Sequence, residues 1–160
     1  MIIRPAVATD ADAMWRIFQA VIAGGDTYLF APDTSRDVAI EYFIGADISS
    51  WVAESDGEIL GMYKLIANRP ARGSHVANAS FMVDPAAQGK GVGRAMAEHC
   101  LAQAKQAGYQ AMQFNFVVST NTAGVELWKK LGFSIVGTLP KAFNHAHLGL
   151  VDAFVMHRFL

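Results

Sequence analysis

Apolar positions recur at helical spacing near the start of the chain and at strand spacing through most of the remainder. Met14, Ile17, Phe18, Val21 and Ile22 fall at i, i+3, i+4, i+7 and i+8, which predicts an amphipathic helix. Thr9 stands at its N-cap position, Asp10 and Asp12 lie in the first turn where the helix dipole favours negative charge, and Gly24-Gly25 ends it. Ile2–Ala6 reads as a short strand before this helix. A loop, GDTYLFAPDTS, leads on to a second short helix around Arg36–Ile44. Ser50–Ser55 and Glu58–Ile66 are strand-like runs joined by the hairpin pair Asp56-Gly57. Turn chemistry over Asn68–Ser74 precedes a fourth strand, His75–Val83, and a long helix ending at Gly108. Ala111–Ser119 is a fifth strand, Asn121–Leu131 a helix stopped by Gly132, and Phe133–Leu139 and Leu150–Phe159 are the last strands. The order β-α-α-β-β-β-α-β-α-β-β predicts an α/β fold, a mixed sheet of about seven strands with helices on both faces. No repeat or linker interrupts the pattern, so residues 1–160 are expected to form a single domain.

Composition narrows the function class. The formal net charge is −1 and the Lys and Arg residues are scattered, which argues against a nucleic-acid partner. Cys100 is the single cysteine, so no disulfide framework is available, and within a helical pattern it reads as a small buried hydrophobe. The pair His145 and His147 lacks a recognisable third ligand, and no metal is expected. The N-terminus has neither the basic flank nor the apolar core of a signal peptide. No apolar run approaches the ~20 residues that span a bilayer. The expectation is a cytoplasmic protein without membrane association.

Chemistry concentrates in QGKGVGRA, Gln88–Ala95, where Gly89, Gly91 and Gly93 alternate at the mouth of the long helix. Glycine costs up to about 1 kcal/mol per helical position, so bare backbone there needs a reason. A Walker A loop needs glycine at position 84 and Ser or Thr at 91, where the chain has Asp84 and Gly91. A dinucleotide fingerprint needs Gly or Ala where the chain has Arg94 or, in the shifted register, Met96. What remains is Q-x-x-G-x-G opening a helix after a strand that ends Phe81-Met82-Val83. Outward-facing N–H groups and the helix dipole there suit a diphosphate. The alternative is a flexible turn that binds nothing.

Val83–His99, VDPAAQGKGVGRAMAEH, resembles motif A of the GCN5-related N-acetyltransferase (GNAT) superfamily. Asn121–Phe133, NTAGVELWKKLGF, resembles that family's second hallmark, N-x-x-A-x-x-L-Y-x-x-x-G-F. The resemblance implies the GNAT fold, with splayed fourth and fifth strands, and acetyl-CoA as co-substrate. The pantetheine arm would lie against Phe81, Met82 and Val83. The pyrophosphate would meet the amides of Gln88, Gly89, Lys90, Gly91, Val92, Gly93 and Arg94, with Lys90 as a rim charge. Asn121 matches an asparagine that bonds the cofactor arm and equally suits a helix N-cap, and both roles can coexist. Trp128 stands where the family commonly has a tyrosine that protonates the leaving thiolate. An indole N–H is a donor but no acid near neutral pH, so Trp128 is expected to pack against the cofactor. Gly124 takes the place of a small alanine, a mild change. Ala77 occupies the position of the glutamate base of histone-acetylating members.

On the acceptor side, strand alternation puts Asn78 and Ser80 on one face and Gln113 and Asn115 on one face of the next strand. Asparagine is disfavoured in strands, so Asn78 and Asn115 mark either a site or structural hydrogen bonds. With Asn121 they resemble a subgroup containing proline-analogue N-acetyltransferases, where matching asparagines serve substrate carboxylate, acetyl oxygen and cofactor. This resemblance makes Asn78 and Asn115 the candidate catalytic residues. They are also candidate acceptor contacts, together with Tyr28 and Phe30; packing under a long loop is the alternative for the two aromatics. The implied reaction is direct attack of an unprotonated amine, on an amino acid or analogue, at the thioester in a ternary complex. A water chain, Tyr28 or His75 are the open choices of proton acceptor. A protein or peptide amine acetyltransferase and a non-catalytic acyl-CoA-binding sensor are the alternatives. The family also implies a homodimer.

Overall fold

In the computed structural model, which describes residues 1–160, the eleven elements form in the expected order. They are β1 (Ile2–Pro5), α1 (Ala11–Gly24), α2 (Arg36–Ile44), β2 (Ser49–Ser55), β3 (Glu58–Ala67) and β4 (Val76–Val83). There follow α3 (Val92–Gln106), β5 (Ala111–Val118), α4 (Thr122–Lys130), β6 (Ser134–His145) and β7 (Gly149–Phe159). The strands form one seven-stranded sheet in the order β1-β2-β3-β4-β5-β7-β6. Every pairing is antiparallel except β4 with β5.

Alternation along β3 and β4 feeds two cores. Met62 and Met82 pack with Met14, Ile17 and Phe18 of α1 and with Ala39 and Phe43 of α2. Tyr63, Leu65, Ala77 and Ala79 pack on the other face with Val92, Met96, Cys100 and Ala104 of α3. A strand buried on both faces has no polar alternation, which is why ILGMYKLIA reads as a nearly continuous apolar run. Cys100 is fully buried and desolvation pushes its thiol well up, so it is inert, as expected. No helix is long and apolar enough to cross a membrane.

Two local expectations change. Thr9 lies within a short 3₁₀ turn, Ala8–Asp10, and the polar group that serves the turn is Asp10, whose Oδ2 accepts the Val7 N–H at 2.8 Å. Asp10 also binds Arg4 in a two-pronged pair, both contacts at 2.8 Å, and Arg4 reaches Glu54 at 2.7 Å. The carboxylate thereby ties β1 to the start of α1. The second change is β6, which does not stop before Pro140 but runs on to His145. A proline lacks the N–H that a central strand needs, but β6 is the sheet edge, where the missing donor is harmless. A bulge between Leu139 and Phe143, with Lys141 at φ 51°, restores the register.

Asp10→Asn is expected to destabilise the protein by about 2 kcal/mol near neutral pH, because it leaves a guanidinium partly buried beside a neutral amide. Arg4 holds the Asp10 carboxyl below its ordinary range, so the pair stabilises the fold fully above about pH 4 and less as pH falls through the lowered value. Urea unfolding at pH 7 and at pH 3 should therefore show a mutational gap that shrinks in acid.

Candidate active site

β4 and β5 pair only at Val76 with Ala111 and at Ala77 with Met112, then separate. The gap widens into a cleft of about 1260 Å³ that runs from the start of α3 to the loop between α1 and α2. Asp84 N–H bonds Leu60 and Asn68 N–H bonds Val76, so the even-numbered residues of β4 are those hydrogen-bonded to β3. Alternation then turns the amide groups of Ala79, Phe81 and Val83 toward the gap, where no strand takes them up. Phe81 and Val83 thus present backbone groups to the cleft. Met82 gives its backbone to β3 and its side chain, 1% exposed, to the α1 core.

At the other rim, Gly89 and Gly91 have φ of 76° and 81°, and nothing lies within 4 Å of a Cβ at either position. They are required by backbone conformation as well as by clearance. The amides of Gly89, Gly91, Val92, Gly93 and Arg94 have no protein acceptor, which leaves five donors at the positive end of α3. The amides of Gln88 and Lys90 are instead turned back to Pro85 and Ala87, at 3.3 and 3.4 Å, and Lys90 does not line the cleft. Gly93 differs from its neighbours. Its backbone is helical, and a Cβ there would meet Val83 and Leu127 only at 3.6 and 4.0 Å. Nothing inside the protein demands glycine at 93.

Asn121 does cap α4, its Oδ1 accepting the Gly124 N–H at 3.1 Å, and it lines the cleft as well. A Cβ at Gly124 would sit 2.7 Å from Asn121 Nδ2, so the glycine makes room for this orientation of the amide. Trp128 packs on Phe114 and Phe81, with centroids 4.6 and 5.1 Å away, and forms a wall of the opening.

Asn78, Asn115, Tyr28 and Phe30 all line the cleft beyond the strand vertex. Asn78 Nδ2 donates to the Gln113 carbonyl at 2.9 Å, one step beyond the last ladder pair. Asn115 accepts from Gln113 Nε2 at 2.8 Å and donates to Asn68 Oδ1 at 2.6 Å, which leaves it one amide hydrogen. The Tyr28 hydroxyl donates to the Phe81 carbonyl at 2.7 Å, and burial pushes the phenol far up, so Tyr28 stays protonated and is no base. His75 does not line the cleft. Phe30 packs between Phe18 and Tyr42, at 5.0 and 4.9 Å.

Four residues at or behind the cleft were not assigned to it by the sequence patterns: Asn68, Tyr42, Lys64 and His145. Tyr42 shares a 2.7 Å hydrogen bond with Ser80. His145 reaches the cleft because the β6–β7 tip docks on the α1–α2 loop, Ala146 N–H bonding Gly25 at 2.9 Å. Two of them have a sequence signal: His145 in its pair with His147, and Lys64 as a lone charge within the apolar run of β3.

Gly93→Ala separates clearance from folding. The variant should keep or slightly raise its thermal stability, since alanine is favoured over glycine in helices by about 1 kcal/mol, while its affinity for CoA drops. Unchanged affinity by calorimetry would remove the glycine rim from ligand binding.

A sequence profile of the acetyltransferase (GNAT) family matches residues 14–133. The N-acetyltransferase aca1 of Schizosaccharomyces pombe is 36% identical over 98 residues, which are 61% of this chain and 47% of that protein. Protein SPT10 of Saccharomyces cerevisiae is 29% identical over 53% of this chain and 13% of its own. The chain thus matches less than half the length of each of these curated relatives. A GCN5-related N-acetyltransferase from Kribbella flavida superposes with a TM-score of 0.94 at 40% identity, covering 99% of this chain and 97% of that one. The fold is also that of a GNAT-superfamily phosphinothricin acetyltransferase from Sinorhizobium meliloti in complex with AcCoA, TM-score 0.85 at 24% identity over 99% and 88% of the two chains. With its parted strands, its row of free amides at a helix mouth and a family match over three quarters of its length, the chain belongs to the GNAT family of acetyl-CoA-dependent acetyltransferases.

Proposed function

We propose that the protein transfers an acetyl group from acetyl-CoA to the amine of a small molecule, an amino acid or analogue, in a ternary complex. The observation that carries this reading is one cleft with two unlike ends. Five free amides at the mouth of α3 suit a pyrophosphate, and the free N–H of Phe81 with the unpaired backbone of Val83 suits an extended amide-bearing arm. The opposite end is walled by Tyr28, Phe30, Tyr42 and His145, and beside it the β6–β7 tip is tied to the end of α1 where Ala146 bonds Gly25. An aromatic wall of this kind favours a small acceptor over a protein tail.

Acetyl-CoA supplies an activated carbonyl, and the acceptor amine, once neutral, attacks it directly. The chain's part is to align the two and to place donors where negative charge develops on the oxygen. The remaining amide hydrogen of Asn115 is the donor assigned that role, and Asn78 holds the strand gap at its vertex. Asp26 is the only carboxylate along the cleft, and Trp128 carries no acidic proton, so the amine proton passes to water. A CoA thiolate, with a thiol pKa near 8.5, can leave without a dedicated acid.

The resemblance of Asn78, Asn115 and Asn121 to the proline-analogue subgroup supports an amino acid acceptor. Homodimerisation is supported by β6, an unpaired edge strand with Ile135, Val136 and Leu139 exposed. Light scattering at micromolar concentration tests that.

Thiol release from acetyl-CoA should appear with small amino acids or their analogues and remain at background with peptides. Release with peptides alone would transfer the assignment to protein amines, and tight CoA binding with no release from any amine would leave a sensor. Asn115→Ala is expected to lower kcat about 100-fold, as loss of one oxyanion donor does, with CoA affinity little changed.

A further inference from the structure

Lys64 is the most anomalous charge in the molecule. It sits in the middle of β3, 5% exposed, with no side-chain hydrogen bond and no carboxylate within ion-pair distance. Its ammonium lies 3.1 Å from the centroid of the Tyr42 ring. A ring face answers part of the lost hydration of a cation but supplies no counter-charge. Burial lowers its pKa to about 8, so the group is still mostly charged at neutral pH.

Its place explains what the charge acts on. Ser80 is its cross-strand partner on β4, and the Tyr42 ring that covers it bonds Ser80 through the hydroxyl. Tyr42 and Ser80 both line the acceptor end, so one layer of side chains separates the ammonium from the cleft. Across that apolar layer its field is weakly screened. The polar groups in front of it are donors or can donate: one hydrogen of the Tyr42–Ser80 pair, the Asn115 amide and His145. The Nδ1 of His145 accepts the His147 N–H at 3.1 Å, so the neutral ring carries its proton on Nε2. Asp26, the one carboxylate along the cleft, is exposed to solvent at its rim.

We infer that Lys64 is a specificity-determining residue that makes the acceptor end select amines carrying an adjacent carboxylate. The carboxylate lies against the Tyr42–Ser80 wall and completes the charge that the protein leaves unpaired, while the amine points to the thioester. The same field disfavours the ammonium form of the amine, which is the unreactive one. This rests on the small-amine reading, and its test avoids turnover so that the two can fail separately.

The probes are N-acetylglycine, N-acetylalanine and N-acetylproline, each against its carboxamide, titrated calorimetrically into the CoA-saturated protein. The carboxylates should bind about tenfold more tightly than the carboxamides. The preference should fall to within about twofold in Lys64→Met and persist in Lys64→Arg. No preference in the wild type, no binding of either form, or a preference that survives Lys64→Met would overturn the assignment. Should Lys64→Met fail to fold, NMR titration of ¹³C-labelled lysine in the wild type decides. N-acetylproline should raise the Lys64 pKa and its carboxamide should not; equal behaviour of the two would overturn it. Thiol release across the amine panel judges the transferase reading independently.

Discussion

The early parting of β4 from β5 is the constraint on which the rest of the molecule depends. Two ladder pairs anchor the strands, and beyond them Asn78 replaces a backbone bond with a side-chain bond to the Gln113 carbonyl. Further along, Phe81, Phe114 and Trp128 form an aromatic wedge whose apolar area would be lost to water if the strands closed without them. Closing the sheet would satisfy the idle amides of Ala79, Phe81 and Val83 but would expel that wedge. Packing therefore maintains a gap whose edge is unsatisfied backbone, and unsatisfied backbone is a ready binding surface for an extended ligand.

The two ends of the gap use different physics. At the α3 end the field comes from the main chain: free amides, a helix dipole and positive-φ glycines that let the backbone lie bare. Lys90 stays out of the cleft, and the Arg94 guanidinium is paired with Glu98 at 2.8 Å. At the other end the field comes from side chains on α2, β3, β4, β5 and β6, held by aromatic packing and by the chain Asn68–Asn115–Gln113. The first arrangement is tolerant of the ligand's remainder, as suits a common donor. The second depends on single contacts, as suits discrimination among acceptors.

Legibility in the sequence follows the same division. QGKGVGRA and NTAGVELWKKLGF are local motifs, because a helix mouth is built from consecutive residues. Element order and most boundaries were legible too, since helical and strand periodicities are local. Pro140 misled the reading of β6, because whether a proline ends a strand depends on which neighbours the strand has, and an edge strand has one. Thr9 misled for a related reason: Arg4 holds Asp10, and Arg4 is itself held by Glu54, which the pairing of β1 with β2 brings beside it.

By itself, then, the sequence determined the kind of fold, the glycine-rich helix mouth and the absence of a tyrosine at Trp128, all properties of short-range order. Only the tertiary structure decided that the Met82 side chain enters the α1 core and that Asn115 is already tied to Asn68. It also decided that His145 arrives from a distant hairpin and that Lys64 stands uncompensated behind Tyr42. These outcomes depend on which side chains meet across strand register and helix docking. A charge reads as buried or free, and an amide as catalytic or structural, only when its partners in space are known.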